Sequence, residues 1–162
     1  MKYFKNIETL EELKKEYKKL AFKLHPDVNQ ERDTTKEFQQ MQNEYEKLFN
    51  QVKNIRRNEK GEKYTKETSE TMEEFEEIID KIIHFKNVNI EIIGSWIWLT
   101  GDTKTYKDIV KELGFKWSKN KVAWYYHKDK FKKRSNRTLT LDDIREKFGS
   151  EKIQNTYQYE IA

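Results

Sequence analysis

The sequence predicts an α+β chain: an antiparallel helical hairpin first, then a small Trp-rich domain built from β-hairpins and helices. Three observations predict this. Apolar residues recur at helical spacing over residues 9–24 and 34–52. From Val88 the apolar period shortens to two, and Gly94-Ser95 separates two such runs. All four tryptophans, Trp96, Trp98, Trp117 and Trp124, fall in this second region.

Thr9 and Glu12 form a capping-box pattern at the start of the first helix. Its stripe is Leu10, Leu13, Tyr17, Leu20, Ala21 and Leu24, and the side expected to face solvent carries Lys14, Lys15, Lys18, Lys19 and Lys23 against Glu16. Pro26 ends the helix, because the residue before proline is pushed out of the helical region. A second stripe, Phe38, Met41, Tyr45, Leu48 and Val52, follows another capping-box pattern at Thr34 and Glu37. Two amphipathic helices joined by one polar loop bury their stripes against each other, with Tyr3–Ile7 folded onto the open end. Residues 54–70 hold only Ile55 and Tyr64 as large apolar side chains and read as a linker. Expected boundaries are therefore a helical unit at 1–53, a linker at 54–70, and a third helix plus α+β domain at 71–162.

The third helix, residues 71–86, turns Phe75, Ile78, Ile79, Ile82, Ile83 and Phe85 inward. Glu70, Glu73, Glu74, Glu76, Glu77 and Asp80 make its outer face acidic, and the acids near its start suit the helix dipole. A β-hairpin follows from Val88, Ile90 and Ile92 through Gly94-Ser95 to WIWLT. Gly101 and Asp102-Thr103 introduce a helix with Tyr106, Ile109, Val110 and Leu113, closed by Gly114. FKWS-KNK-VAWYYH is a second hairpin. A last helix starts at Thr140, with Asp143 completing a capping box, and residues 156–161 alternate like an edge strand.

The charge balance adds to this. The net charge is only +4, yet residues 116–137 hold nine basic residues against Asp129 alone. A basic patch on an aromatic sheet is what a surface that tracks a phosphate backbone and stacks bases needs. Candidates for such contacts are Lys116, Lys119, Lys121, Tyr125, Lys132, Lys133, Arg134 and Arg137. Most of the tryptophans are expected in the small domain's core, with Tyr125 the more exposed stacker. No cysteine is present, which removes thiol nucleophiles, disulfides and thiolate metal sites. The histidines His25, His84 and His127 have no ligand spacing, and no phosphate-cradling glycine loop appears. Asp142, Asp143 and Glu146 are explained by helix capping. No catalytic residue, metal or cofactor is expected, nor a membrane partner or small-molecule substrate. With no apolar run near eighteen residues and no leader pattern, a cytoplasmic setting is the expectation.

The segment KLAFKLHPDVN, residues 19–29, carries a family resemblance. A Lys-rich helix, then His25-Pro26-Asp27, then a helix ending Asn43-Glu44-Tyr45-Glu46-Lys47-Leu48, resembles the J-domain of the DnaJ (Hsp40) co-chaperones over roughly residues 2–50. The resemblance implies a partner, an Hsp70 (DnaK-type) ATPase whose hydrolysis is stimulated. It implies that Lys14, Lys18, Lys19 and Lys23 steer association onto an acidic groove, which acts on rate more than on final affinity. Asp27 is then the polar trigger, and Pro26 stiffens the loop that holds His25 and Asp27 ready. Where a QKRxxYD-type fourth helix would stand, the chain has FNQVKNIRRNEK, and there is no Gly/Phe-rich segment. The resemblance thus implies a minimal J-protein with a different effector domain.

The region GSWIWLTGDTKTYKDIVKELGFKWSKNKVAWYYH resembles a module beside J-domains in phage and plasmid proteins. Two functions follow as expectations. One is a non-enzymatic adaptor that recruits an Hsp70, encoded by a phage or mobile element. The other is a DNA- or RNA-binding protein in which the helical hairpin is only a scaffold.

Overall fold

The computed structural model describes residues 1–129 and 138–148 in full, and the backbone of residues 152–154. Helix α1 (Leu10–Leu24) opens with the expected capping box: Glu12 N–H donates to Thr9 Oγ1 at 3.3 Å, and Thr9 N–H to Glu12 Oε2 at 3.2 Å. Helix α2 (Thr35–Val52) differs from its expected start. Thr34 makes no capping bond and instead donates its hydroxyl to Leu24 O at 2.6 Å, tying the end of α1 to the start of α2. Glu37 pairs with Arg32 rather than closing a box. Leu10, Leu13, Tyr17, Ala21, Met41, Tyr45, Leu48 and Val52 bury the facing stripes. Residues 2–3 fold onto the hairpin through backbone N–H bonds to the Glu44 carboxylate, at 2.9 and 2.8 Å.

The expected linker is not one. Residues 54–70 contain an antiparallel pair, β1 (Ile55–Arg57) and β2 (Lys63–Thr65), with Arg56 opposite Tyr64. Arg57 binds Glu8 and Glu12 at 2.9 and 3.1 Å, so ionic contacts to the start of α1 order a stretch with little apolar content. Helix α3 (Met72–Ile82) is capped by a Thr71–Glu74 box and buries Phe75, Ile78, Ile79 and Ile82.

The C-terminal sheet is antiparallel with strand order β5-β6-β4-β3-β7, from β3 (Val88–Ile93), β4 (Trp96–Gly101), β5 (Lys116–Ser118), β6 (Ala123–Tyr126) and β7 (Lys152–Gln154). The edge strand expected at 156–161 lies outside the described residues; β7 holds that edge. Gly101 is required where β4 ends: it sits at φ +91, and a Cβ there would stand 2.6 Å from Asn87 O. A 3-10 turn (Lys104–Tyr106) leads into helix α4 (Lys107–Glu112), in which Val110 is buried. Ile109 of the same helix is 44% exposed. Helix α5 (Leu141–Phe148) starts with the expected Thr140–Asp143 box.

One sheet face, carrying Ile90, Ile92, Ile97, Leu99 and Trp124, joins the side chains of α1, α2 and α3 in a single core that also holds Phe4, Tyr45 and Phe75. The other face, Ile93, Trp98 and Ala123, is covered by Leu141 and Ile144 of α5. Arg145 seals this second layer by holding the fully buried Glu91 carboxylate through both oxygens. Among the described residues no helix is long and apolar enough to cross a membrane.

Candidate functional site

The His-Pro-Asp loop is built by the way α1 ends. His25 leaves the helical region at φ −60 and ψ 127, as a residue before proline must, while its N–H still closes the helix on Ala21 O at 2.9 Å. Its carbonyl then accepts from Val28 and Asn29 N–H, each at 3.1 Å. The Asn29 side chain donates to Lys23 O at 2.7 Å. Backbone groups that proline would leave without helical partners are thus satisfied locally, and the loop is fixed.

His25 is 7% exposed and packs edge-on against Phe38, with ring centroids 5.0 Å apart. Asp27 N–H donates to His25 Nδ1 at 3.2 Å, which makes Nε2 the protonated nitrogen, and Nε2 hydrogen-bonds Asp80 Oδ1 of α3. The Asp27 carboxylate stands at the surface, 3.7 Å from His84 Nε2. The loop therefore offers a carboxylate on a stiff turn, backed by a buried imidazole. The His84 ring stands 5.8 Å from that of His25, so two imidazoles and the carboxylates of Asp27 and Asp80 gather at the loop.

The lysines do not share one solvent face. Lys14 and Lys18 are each 1% exposed, contrary to the solvent side expected of them. Lys14 Nζ forms an ion pair with Glu70, reaches Ser95 O at 3.1 Å and lies 5.0 Å over the Phe75 ring. Lys18 Nζ donates to Ile90 O at 2.9 Å. Glu70, expected on the outer face of an acidic helix, is itself buried ahead of α3. The physical reason is that α1 is covered on two sides, by α2 and by α3 with β3, so its polar flank becomes a second interface. Lys23 is exposed, and Lys19 is half-buried with its Nζ 3.6 Å from Glu16.

In the C-terminal region the basic candidates scatter. Lys116 and Lys119 are exposed, and Lys121 lies 6.0 Å over the Trp98 ring. Tyr125 is not the exposed stacker expected: it is half-buried, 5.6 Å from Trp96 and 5.4 Å from Trp98, beneath α5. Lys132, Lys133, Arg134 and Arg137 lie outside the described residues. Trp117 is instead the exposed ring, 43% accessible and propped edge-on by Trp124 at 5.4 Å. It lines a shallow groove of about 470 Å³ with Lys104, Lys107, Lys111 and Asp102. The lysine spacing of three and four marks one helix face, the signal that could have found this groove in the sequence. Among the described residues no group of three or more His, Cys, Asp or Glu side chains is arranged to hold a metal ion.

Comparison with known proteins bears on the first site. A family model for the DnaJ domain matches residues 4–58, which include the whole His-Pro-Asp loop. The mitochondrial DnaJ homolog 1 of Saccharomyces cerevisiae is 52% identical over 42 residues, 26% of this chain. That stretch spans only 8% of the yeast protein's length. No solved structure matches the chain.

Proposed function

We propose that this chain is a non-enzymatic co-chaperone that stimulates an Hsp70 (DnaK-type) ATPase through its His25-Pro26-Asp27 loop, and that the Trp-rich sheet is its effector part. The observation that carries this reading is the loop itself. Within a stretch matched to the DnaJ domain, Asp27 is presented at the surface on a turn fixed by His25 and Asn29. Association is steered by the exposed Lys23, together with the half-buried Lys15 and Lys19. The likeness of the second module to those beside J-domains in phage and plasmid proteins supports an adaptor carried by such an element. The test is single-turnover ATP hydrolysis by a DnaK-type Hsp70: saturating chain raises the rate, and an unchanged rate contradicts the proposal.

A second reading, nucleic-acid binding, is favoured by the groove beside Trp117. None of Lys104, Lys107 and Lys111 makes an ion pair among the described residues, and the exposed indole offers a face to stack on. Asp102 is the one acid in the lining, so the groove suits the phosphates and bases of a single strand. Binding of a fluorescent oligothymidylate is expected to fall with salt. It should weaken by roughly 1–3 kcal/mol in Trp117→Ala, the worth of one base–aromatic stack. Equal binding by Trp117→Ala and wild type removes this reading.

A further inference from the structure

Lysine is a costly choice for a position that the fold buries completely. Lys14 has one carboxylate partner, Glu70, and the second oxygen of that carboxylate, Oε1, finds no hydrogen-bond partner among the described residues. Taking two charges out of water is repaid only when every lone pair is filled, and apolar side chains of similar volume usually serve a closed core as well or better. The packed arrangement therefore does not explain why these positions are lysine.

The groups that cover the basic face belong largely to one segment. Glu70 stands just before α3, Phe75 lies under Lys14 and 5.8 Å from the Tyr17 ring, Asp80 in the last turn holds His25, and His84 stands beside Asp27. An acidic segment thus grips the basic helix at its start, its middle and its loop. Strand β3 adds Ile90 O on Lys18.

We propose that this packing is a closed form, in which segment 70–84 occupies the face of α1 that an acidic partner surface would take. The partner, the Hsp70-type ATPase, then has to compete with the chain's own acidic helix. This inference rests on the proposed function. A face available for a fraction of the time weakens apparent affinity by that fraction and leaves the bound complex, and so the maximal stimulation, unchanged.

The chain has no cysteine, so Lys18→Cys supplies a single thiol whose maleimide labelling reads opening of this face. In the full chain, adding Glu70→Gln and Asp80→Asn keeps the side-chain shapes and removes both anions. Labelling is then expected to run about tenfold faster than in Lys18→Cys alone. With Lys18 restored, Glu70→Gln alone, which leaves the Asp80–His25 bond in place, should reach half-maximal ATPase stimulation at several-fold lower concentration, with the same plateau. Asp80→Asn alone serves for the labelling if the double variant loses its helical circular dichroism. Labelling no faster than in Lys18→Cys alone, or faster labelling with Glu70→Gln stimulating only at wild-type concentrations, overturns the closed form and leaves the Hsp70 activity standing. Opening without stimulation by any of these chains overturns the proposed function and the closed form together.

Discussion

Two partly buried side chains, Glu76 and His127, carry opposed charge penalties. Glu76, half-buried on α3 beside Glu73, Glu46 and Asp80, has its carboxyl raised from the ordinary 4.5 to about 7, by burial first and then by those like charges. Burial lowers the His127 imidazole from 6.5 to about 4, in a site where its ring stacks on Trp96 at 4.4 Å. Between pH 4.5 and 7 the folded chain holds a Glu76 proton that the unfolded chain has released. This contribution is full below 4.5 and lost as pH rises through 7. His127 has the opposite sign: between pH 4 and 6.5 only the unfolded chain binds the proton, so stability falls as pH drops through that window. In Glu76→Gln, thermal midpoints are expected to fall steadily from pH 6.5 to 4. In His127→Gln they should rise from pH 7 to 4.5, and matching slopes in the two variants would contradict the assignment. Burial, the first cause of both shifts, depends on packing between distant parts of the chain and is not legible in the sequence, whereas Glu73 and Asp80 stand on the same helix as Glu76.

At the scale of elements, α3 joins the helical hairpin to the sheet. Phe75 is fully buried, with ring centroids 5.8 Å from Tyr17 and 6.4 Å from Tyr45, and it shares the core with Ile90 and Leu99 of the sheet. Phe75→Ala is expected to destabilise the chain by about 3–5 kcal/mol in urea. The loss should register equally in helical circular dichroism and in tryptophan fluorescence, which reports the sheet alone. Displaced transitions for the two probes would mean that the helical unit and the sheet unfold separately. The capping boxes at Thr9 and Thr140 were readable because their donors and acceptors lie within three residues of one another. Thr34 matched the same pattern, but its hydroxyl found Leu24 O, a partner set by the loop's path. The β1–β2 pair has no local signature for a related reason: Arg57 orders it through Glu8 and Glu12, and ionic contacts across 45 or more residues leave no periodic trace.

For the whole molecule, the helical hairpin, the alternating strands and the His-Pro-Asp loop were legible because each follows from local spacing. The burial of Lys14 and Lys18 was not. Helical periodicity identifies one apolar stripe, and α1 is covered along a second, charged one whose partners, Glu70, Ser95 and Ile90, come from the other half of the chain. The same long-range packing put Tyr125 under α5 and left Trp117 outside. The account as a whole turns on the loop at residues 25–27 acting on an Hsp70. Its most direct test is the single-turnover ATPase rate of a DnaK-type Hsp70 with saturating wild-type chain and with Asp27→Asn, a change at an exposed carboxylate that leaves the fold intact. Stimulation by the wild type and none by Asp27→Asn is the predicted result; equal stimulation by the two would contradict it.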